Sequence, residues 1–308
     1  MANVNKAKLK GLLFLIFKYA FLSGLIFMIL YPQLNKIAIA FRSNDDLLDT
    51  SIIFLPKHFV FDAFSEAAAQ MDYFPTFLRT VLFCAAAAAV HVASCTMTAY
   101  SIAKFDFFGK KAVYFCVLLT FLIPPVLISL PIYTTFRSFD IFGIFKLITG
   151  STVSMLDKPI SLLLLYGTAN GLKSGLFIYL LIQYFKNLPR VLDEAAEVDG
   201  ASNLDIMLKI ALPSARVMMV TVFLFTFVWQ WTDTYYSEMF FTDFKVLSAQ
   251  LYSINSYQPL ADAAKLSFIK VSQISSAASI IFVLPLIILY ICCNKTFVQG
   301  VERSGIVG

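Results

Sequence analysis

Residues 186–214 read KNLPRVLDEAAEVDGASNLDIMLKIALPS and place a polar segment within the apolar second half of the chain. A short helix can begin near Pro189, because the missing N–H of proline costs nothing in a first turn. This helix should end at Gly200, which suits a left-handed C-terminal cap. Its apolar residues fall on one stripe, formed by Leu188, Val191, Leu192, Ala195 and Val198. Such a stripe can dock into a partner's groove or lie against the chain's own helices, and the pattern favours neither.

A second short helix is predicted directly after the first. Ser202 and Asp205 have the spacing of a capping box, in which each side chain accepts a hydrogen bond from the other residue's backbone N–H. Apolar residues continue the helix until Leu212-Pro213, which should break it before the next apolar run. We therefore predict two short helices at a sharp bend.

The composition of the whole chain is that of a membrane protein. Of its 308 residues, 59% are hydrophobic and 14% are charged, whereas soluble proteins carry about 25% charged residues. Because single soluble cores stop growing at about 250–300 residues, so much apolar surface argues against a soluble enzyme and a secreted disulfide scaffold. These values favour a polytopic all-α membrane protein. The net charge of +5 then bears on orientation and does not indicate nucleic acid.

The sequence contains no pattern typical of a catalytic or metal site. Its five cysteines lie in apolar runs without CxxC spacing, so we expect buried, reduced thiols. The two histidines, His58 and His91, are far apart, and His91 is expected to be a packed, hydrogen-bonded residue. Residues 167–174 lack the spacing of a phosphate-binding loop. We expect no catalytic residue, no metal site and no cofactor in this chain.

Six runs nearly free of charged residues are long enough to cross about 30 Å of hydrocarbon at 1.5 Å per residue. The first run is near the length of a membrane span and longer than a signal-peptide core, so we expect it to be retained. The predicted helices are 11–31, 80–103, 112–136, 159–185, 217–232 with an extension past Asp233, and 271–294. In the fourth, Gly167, Gly171 and Gly175 recur once per turn, which favours close helix packing.

Basic residues indicate the orientation of these helices. An even number of spans places both termini on one side, and lysines concentrate in the first tail and in the short 104–111 loop. The 42–74 segment is acidic instead. Because short cytoplasmic loops carry an excess of Lys and Arg, both termini are predicted to be cytoplasmic.

The 186–214 segment resembles the EAA loop of binding-protein-dependent ABC import permeases. The family pattern is EAA, three residues, Gly, nine residues and I-x-L-P. Tyr31-Pro32 looks like the exit of the family's first helix. Pro124-Pro125 resembles the corresponding positions in the carbohydrate-uptake branch of the family. The C-terminal tail resembles that of the maltose-type second permease. The matching positions of the loop are Glu194, Ala195, Ala196, Asp199, Gly200, Ile210, Leu212 and Pro213.

The resemblance implies a fold and a division of the chain. The fold would be that of a type I ABC importer permease (MetI-like), with six transmembrane helices and a cytoplasmic EAA coupling helix. Residues 1–74 would form the N-terminal tail, the first transmembrane helix and an outer segment. Residues 75–299 would form the permease core with its EAA loop, and residues 300–308 a cytoplasmic tail.

The resemblance also implies a mechanism in the bacterial cytoplasmic (inner) membrane. The chain would be a non-catalytic, multi-pass permease surrounded by lipid and paired with a second homologous permease. Two ABC ATPase subunits would bind ATP and Mg²⁺, and each would receive one EAA helix. An extracytoplasmic solute-binding protein would deliver a sugar or oligosaccharide. Glu194 would make polar contacts to the ATPase, Ala195 and Ala196 would allow close packing, and Gly200 would make the bend.

Charged and aromatic residues inside the predicted spans are candidates for the sugar path, because ionisable groups in a membrane usually face a cavity or a partner. Helix 5 offers Trp231, Asp233 and Tyr235, although an interfacial aromatic belt and an exposed helix end explain them equally well. Lys173 in helix 4 can line the path, pair with an acid of the partner permease or mark a break after Gly171. A secondary transporter and a membrane-embedded enzyme remain the alternatives, but neither accounts for an EAA segment.

Overall fold

The computed structural model describes the backbone of residues 2–52, 54–256 and 264–305, and the side chains of 10–52, 54–256 and 268–294. Within these ranges the chain is helical, with a π-helical turn at Met207–Ala211 and no strand beyond isolated bridges. The predicted all-α architecture is confirmed. The helices are α1 (Ala2–Ala40), α2 (Asn44–Leu48), α3 (Asp62–Gln70), α4 (Tyr73–Lys104), α5 (Lys110–Leu122), α6 (Pro125–Arg137), α7 (Ile144–Thr149), α8 (Pro159–Gly167), α9 (Ser174–Lys186), α10 (Arg190–Val198), α11 (Asn203–Ile206), α12 (Leu212–Ser214), α13 (Arg216–Thr232), α14 (Tyr235–Phe240), α15 (Leu247–Ser256) and α16 (Ala264–Gly305).

Three helices are long and apolar enough to cross a membrane. They include the segments Lys10–Ala40, Tyr73–Lys104 and Phe268–Asn294. Two bent helix pairs are also long and apolar enough to cross a membrane if each pair is taken as one span. They are α5 with α6, and Asn203–Ser214 with α13. The described residues therefore contain three to five candidate spans, and the six predicted helices are not all continuous. The predicted tail 300–308 is helical to Gly305, and residues 306–308 lie outside the described part.

The predicted third helix, 112–136, is wrong as a straight span. α5 ends at Leu122, and α6 begins at Pro125 after a bend of 103°. Neither Pro124 nor Pro125 has an N–H to donate to the preceding turn, and a residue before proline is driven to extended backbone. Ile123 accordingly has ψ 121° and Pro124 has ψ 135°. The two prolines therefore divide the run into two helices.

The predicted fourth helix, 159–185, is also interrupted. It is divided into α8 and α9, and within the break Ala169 and Lys173 have φ of +57° and +60°. Left-handed backbone at two non-glycine residues cannot continue a right-handed helix. Within the break, Gly171 packs directly against the ring of Tyr166. A β-carbon on Gly171 would lie 2.0 Å from Cδ1 of that ring. Only glycine fits at that position without displacing the ring.

The predicted glycine stripe is consequently spread over two helices and the break between them. A β-carbon on Gly175 would lie 2.7 Å from the carbonyl oxygen of Val117 and 2.9 Å from the nitrogen of Phe121, both in α5. Close helix packing is thus confirmed at Gly175. At Gly167 the nearest atom would be Cγ1 of Val90, at an ordinary contact distance of 3.4 Å.

The first and fifth helices end at different residues from those predicted. α1 contains the predicted 11–31 helix but continues through Pro32 to Ala40, although Pro32 removes one helical hydrogen bond. In the added turns, Leu34 and Ile37 line an apolar groove together with Phe54. α13 stops at Thr232, and Asp233 has extended backbone with ψ 119°, so the predicted extension past Asp233 is wrong. The predicted second and sixth helices lie within α4 and α16.

Two compact units make up the chain. The first contains residues 1–72 and 253–283, and the second contains residues 73–252 and 284–308. In the second unit α4 packs against α8, α9 and α13, and α5 packs against α9. Its core is apolar and includes Ala99, Leu181, Phe185, Ala211 and Ala215, all fully buried. The domain boundaries predicted at residues 74 and 299 stay a prediction.

The first unit is held by polar contacts near the end of α1. The carboxylate of Asp46 accepts hydrogen bonds from the backbone N–H groups of Lys57, at 2.7 Å, and His58, at 2.8 Å. Gln273 donates to the carbonyl oxygen of Arg42 at 2.5 Å. These contacts fix the loop that follows α2 and join α16 to the end of α1.

Candidate functional site

The first short helix of the 186–214 segment forms as predicted. α10 spans Arg190–Val198 with Pro189 as its N-cap. Gly200 has φ +81° and donates to the carbonyl oxygen of Glu197 at 3.0 Å, while Ala201 donates to that of Ala196 at 2.9 Å. This pair of hydrogen bonds is a Schellman motif, which requires a left-handed residue at the position of Gly200. The helix therefore ends for the reason that the sequence indicates.

The apolar stripe of α10 faces away from the rest of the chain. Val191 is 70% exposed, Leu192 45% and Val198 89%. No residue of α10 is buried, whereas Leu188, just before it, packs on the core of the second unit. The interpretation in which the stripe covers the chain's own helices is therefore wrong. Of the motif residues, Glu194, Ala195, Asp199 and Gly200 are exposed and Ala196 is half-buried.

The predicted capping box starts the second short helix. The nitrogen of Asp205 donates to Oγ of Ser202 at 3.2 Å, and the nitrogen of Ser202 donates to Oδ2 of Asp205 at 3.2 Å. Lys209 pairs with the same carboxylate at 2.6 Å. Hydrogen bonds to the Asp205 carboxylate lower its pKa to about 2. The bond from the Lys209 ammonium has the largest effect, and the bond from the Ser202 hydroxyl has the next largest. Asp205 is therefore ionised at neutral pH, as its capping role requires.

The predicted break at Leu212-Pro213 occurs later in the chain. The helix widens into the π-helical turn Met207–Ala211, where the nitrogen of Leu212 donates to the carbonyl oxygen of Met207. A widened turn gives the ring of Pro213 space that an α-helix does not have. The chain then bends by 71° at Ala215, which is fully buried. The predicted break before the next apolar run is confirmed, but it lies two residues after the proline.

One ion pair joins α10 to a distant helix, and no local sequence pattern indicates it. Nζ of Lys104, the last residue of α4, lies 2.5 Å from Oδ2 of Asp193. The two residues are 89 positions apart, so only the packing of the helices brings them together. At the other end of the segment, the hydroxyl of Tyr184 donates to the carbonyl oxygen of Ser214.

The four residues predicted for the sugar path lie in different environments, and their role stays a prediction. Trp231 is 1% exposed and packs edge-on against Phe77. Asp233 accepts hydrogen bonds from the start of α14, including the nitrogen of Ser237 at 3.0 Å. Tyr235 is exposed and donates to Oγ of Ser129 at 2.7 Å. Lys173 is exposed and precedes α9, so the structure places it in the break between α8 and α9.

A buried polar group joins three helices of the second unit. His91 in α4 is fully buried, with Nδ1 3.0 Å from Oγ1 of Thr226 in α13 and Nε2 2.7 Å from Oγ of Ser174 in α9. The prediction of a packed, hydrogen-bonded histidine is confirmed. Nearby, the hydroxyl of Tyr166 donates to Oε1 of Gln230 at 2.5 Å. Among the residues with described side chains, no group of three or more His, Cys, Asp and Glu could hold a metal ion.

A comparison with known families decides the identification. The family described as binding-protein-dependent transport system inner membrane component matches residues 95–303. The chain belongs to this family. The matched region of this permease includes the whole 186–214 segment, and the predicted membership of this family is confirmed.

Individual relatives agree with the family. The permease is 25% identical over 304 residues to the galactooligosaccharides transport system permease protein GanQ of Bacillus subtilis, with 98% of each chain covered. It is equally similar, over 304 residues and 98% of each chain, to the maltodextrin transport system permease protein MalD of Streptococcus pneumoniae. A solved bacterial ABC transporter involved in the import of the acidic polysaccharide alginate has a chain of the same fold. Its TM-score is 0.72 at 18% identity, covering 92% of this permease and 96% of that chain.

Proposed function

We propose that the chain is the transmembrane permease subunit of an ATP-driven, binding-protein-dependent importer of a sugar or oligosaccharide in the bacterial cytoplasmic membrane. Family membership and two full-length relatives named as sugar-transport permeases support this function. The chain itself is not an enzyme in this proposal. ATP and Mg²⁺ are bound by two partner ATPase subunits, and a second homologous permease forms the other half of the path.

The exposed stripe of α10 is the observation that carries the coupling role. Val191, Leu192 and Val198 present an apolar face to solvent on a helix whose ends are fixed by a proline N-cap and a Schellman motif. A rigid helix with one exposed apolar stripe suits a hydrophobic groove on a partner. We assign that groove to the ATPase, with Glu194 at the edge of the contact and Ala195 and Ala196 allowing close approach.

The proposed topology has six crossings and cytoplasmic termini. α8 and α9 together supply the fourth crossing, and α5 with α6 supplies the third in spite of its bend. The basic 104–111 loop and the 186–214 segment then share the cytoplasmic side, which agrees with the contact between Lys104 and Asp193. The solute-binding protein docks on the opposite side.

For the sugar path we retain the four predicted residues, with different expected roles. Tyr235 and Lys173 are exposed and can contact a sugar directly. Trp231 and Asp233 are engaged within the chain, so they act by holding α13 and α14 in place. Affinity for a particular sugar then depends largely on the binding protein and the second permease.

The coupling role is tested by purifying the complex from native membranes through a tag on this chain. Val198→Asp places a charge in the apolar stripe, and Glu197→Gln is a matched control because residue 197 lies on the opposite face of α10. We expect ATP hydrolysis to co-purify with the wild type and with Glu197→Gln and to be lost with Val198→Asp. Equal ATPase recovery with both variants would contradict the proposed docking.

A further inference from the structure

The face of α10 opposite the apolar stripe carries the only described ion pair that is largely shielded from water. The side chains of Lys104 and Asp193 are 14% and 21% exposed. In every other ion pair between described side chains, at least one partner is more than a third exposed; the pair of Lys209 and Asp205, for example, is 75% and 39% exposed. Exposed pairs contribute little, whereas breaking a shielded pair leaves a charge without its partner.

The pair connects α10 to the central helix of the second unit. Lys104 is the last residue of α4, and α4 packs against α8, α9 and α13. Its positive charge also suits the C-terminal end of a helix. α10 is also joined to the rest of the chain by its two flanking loops, toward α9 and toward α11. The ion pair adds a direct connection between α10 and the end of α4.

We infer that Lys104 and Asp193 are a positioning pair, which holds the stripe of α10 toward the ATPase and transmits its displacement into α4. This inference rests on the proposed function. When α10 moves with the ATPase, a shielded ion pair keeps the end of α4 moving with it, because separating the charges is costly. Without the pair, α10 still docks through its apolar stripe, but its motion loses the direct connection to the end of α4. Docking and coupling are therefore separable in this chain.

The test uses the whole complex in proteoliposomes, with ATP hydrolysis and sugar uptake measured together. Asp193→Asn and Lys104→Gln remove the ion pair, and the exchange Lys104→Asp with Asp193→Lys restores it with reversed charges. Lys209→Gln is the control, since it removes an exposed pair of the same segment. We expect the single variants at 104 and 193 to retain the ATPase but to lose roughly five-fold or more in uptake per ATP, within the usual range of coupling between sites. The double exchange should recover most of the wild-type sugar uptake per ATP hydrolysed.

The outcomes separate this inference from the proposed function. Unchanged uptake per ATP in Asp193→Asn, in a complex whose Val198→Asp variant loses the ATPase, overturns the positioning role and leaves the proposed function intact. A double exchange that stays as uncoupled as the single variants also overturns it, because a restored ion pair should restore coupling. A wild-type complex without ATP hydrolysis overturns both.

Discussion

Substitution of Gly175 by alanine should destabilise the helix pair α5–α9. The added β-carbon would lie 2.6 Å from Oγ1 of Thr120, 2.7 Å from the oxygen of Val117 and 2.9 Å from the nitrogen of Phe121. Each contact must lengthen by roughly half an ångström or more to reach a normal van der Waals separation. Two of the three atoms belong to the backbone of α5, so a side-chain rotation cannot relieve the overlap and the helices must separate.

The size of the effect follows from this geometry. Overpacking of a close contact costs about 1–3 kcal/mol, and a backbone clash belongs at the upper end of that range. Alanine also gains part of the roughly 1 kcal/mol of helix propensity that it has over glycine in a helix interior, because Gly175 and Gly167 both lie at helix ends. Gly167→Ala shares that gain, but its nearest neighbour would be at 3.4 Å. The difference between the two variants therefore isolates the packing cost.

Thermal unfolding of the purified chain in detergent measures this difference. We expect Gly175→Ala to unfold several degrees below the wild type and Gly167→Ala to unfold at or slightly above it. Equal unfolding temperatures for the two alanine variants would refute the close approach of α5 and α9.

Three further predictions concern other parts of the chain. Gly200→Asp should insert normally but hydrolyse ATP without uptake, whereas Gly109→Asp, at nearly the same φ of +80° and also in open space, should transport normally. The pKa of Asp157 is lowered because its carboxylate accepts hydrogen bonds from backbone N–H groups, of which that of Phe244 has the largest effect and two neighbouring N–H groups add to it. Its stabilisation is therefore present above the unfolded pKa of about 4 and lost as pH falls through the lower folded pKa, so the acid melting curve of Asp157→Asn should be flatter. His91→Phe removes the hydrogen-bond partner of the buried Thr226 hydroxyl, whereas the Ser174 hydroxyl still donates to the carbonyl oxygen of Gly171, so the variant should cost about 1–3 kcal/mol, measured by thermal unfolding.

Local chemistry made the 186–214 segment predictable from the sequence. Gly200 and the pair formed by Ser202 and Asp205 act on the backbone within a few residues, so their spacing alone indicates where α10 ends and α11 begins. The apolar stripe was visible for the same reason. Its exposure was not, because periodicity shows which residues share a face but not what covers that face.

The interruptions in the helices have different causes: adjacent prolines divide α5 from α6, whereas the break between α8 and α9 also depends on packing. The run from 159 to 185 is apolar throughout most of its length, and a break after Gly171 is one of three roles that its sequence allows for Lys173. The ring of Tyr166, which occupies the space beside Gly171, shows that the break is present. Similarly, nothing near Asp193 in the sequence indicates Lys104 as its partner. Composition predicts that a segment enters the membrane, whereas neighbouring helices determine whether it crosses as one straight element.

Sugar uptake into proteoliposomes distinguishes an ATP-driven importer from a secondary transporter. The purified complex is reconstituted with its ATPases facing the interior, ATP is enclosed, and the binding protein is added outside with a labelled oligosaccharide. We predict uptake that requires both ATP and the binding protein, that persists with Glu197→Gln and that is lost with Val198→Asp. Uptake driven by an ion gradient without ATP, and equal for the two variants, would contradict the account and favour a secondary transporter.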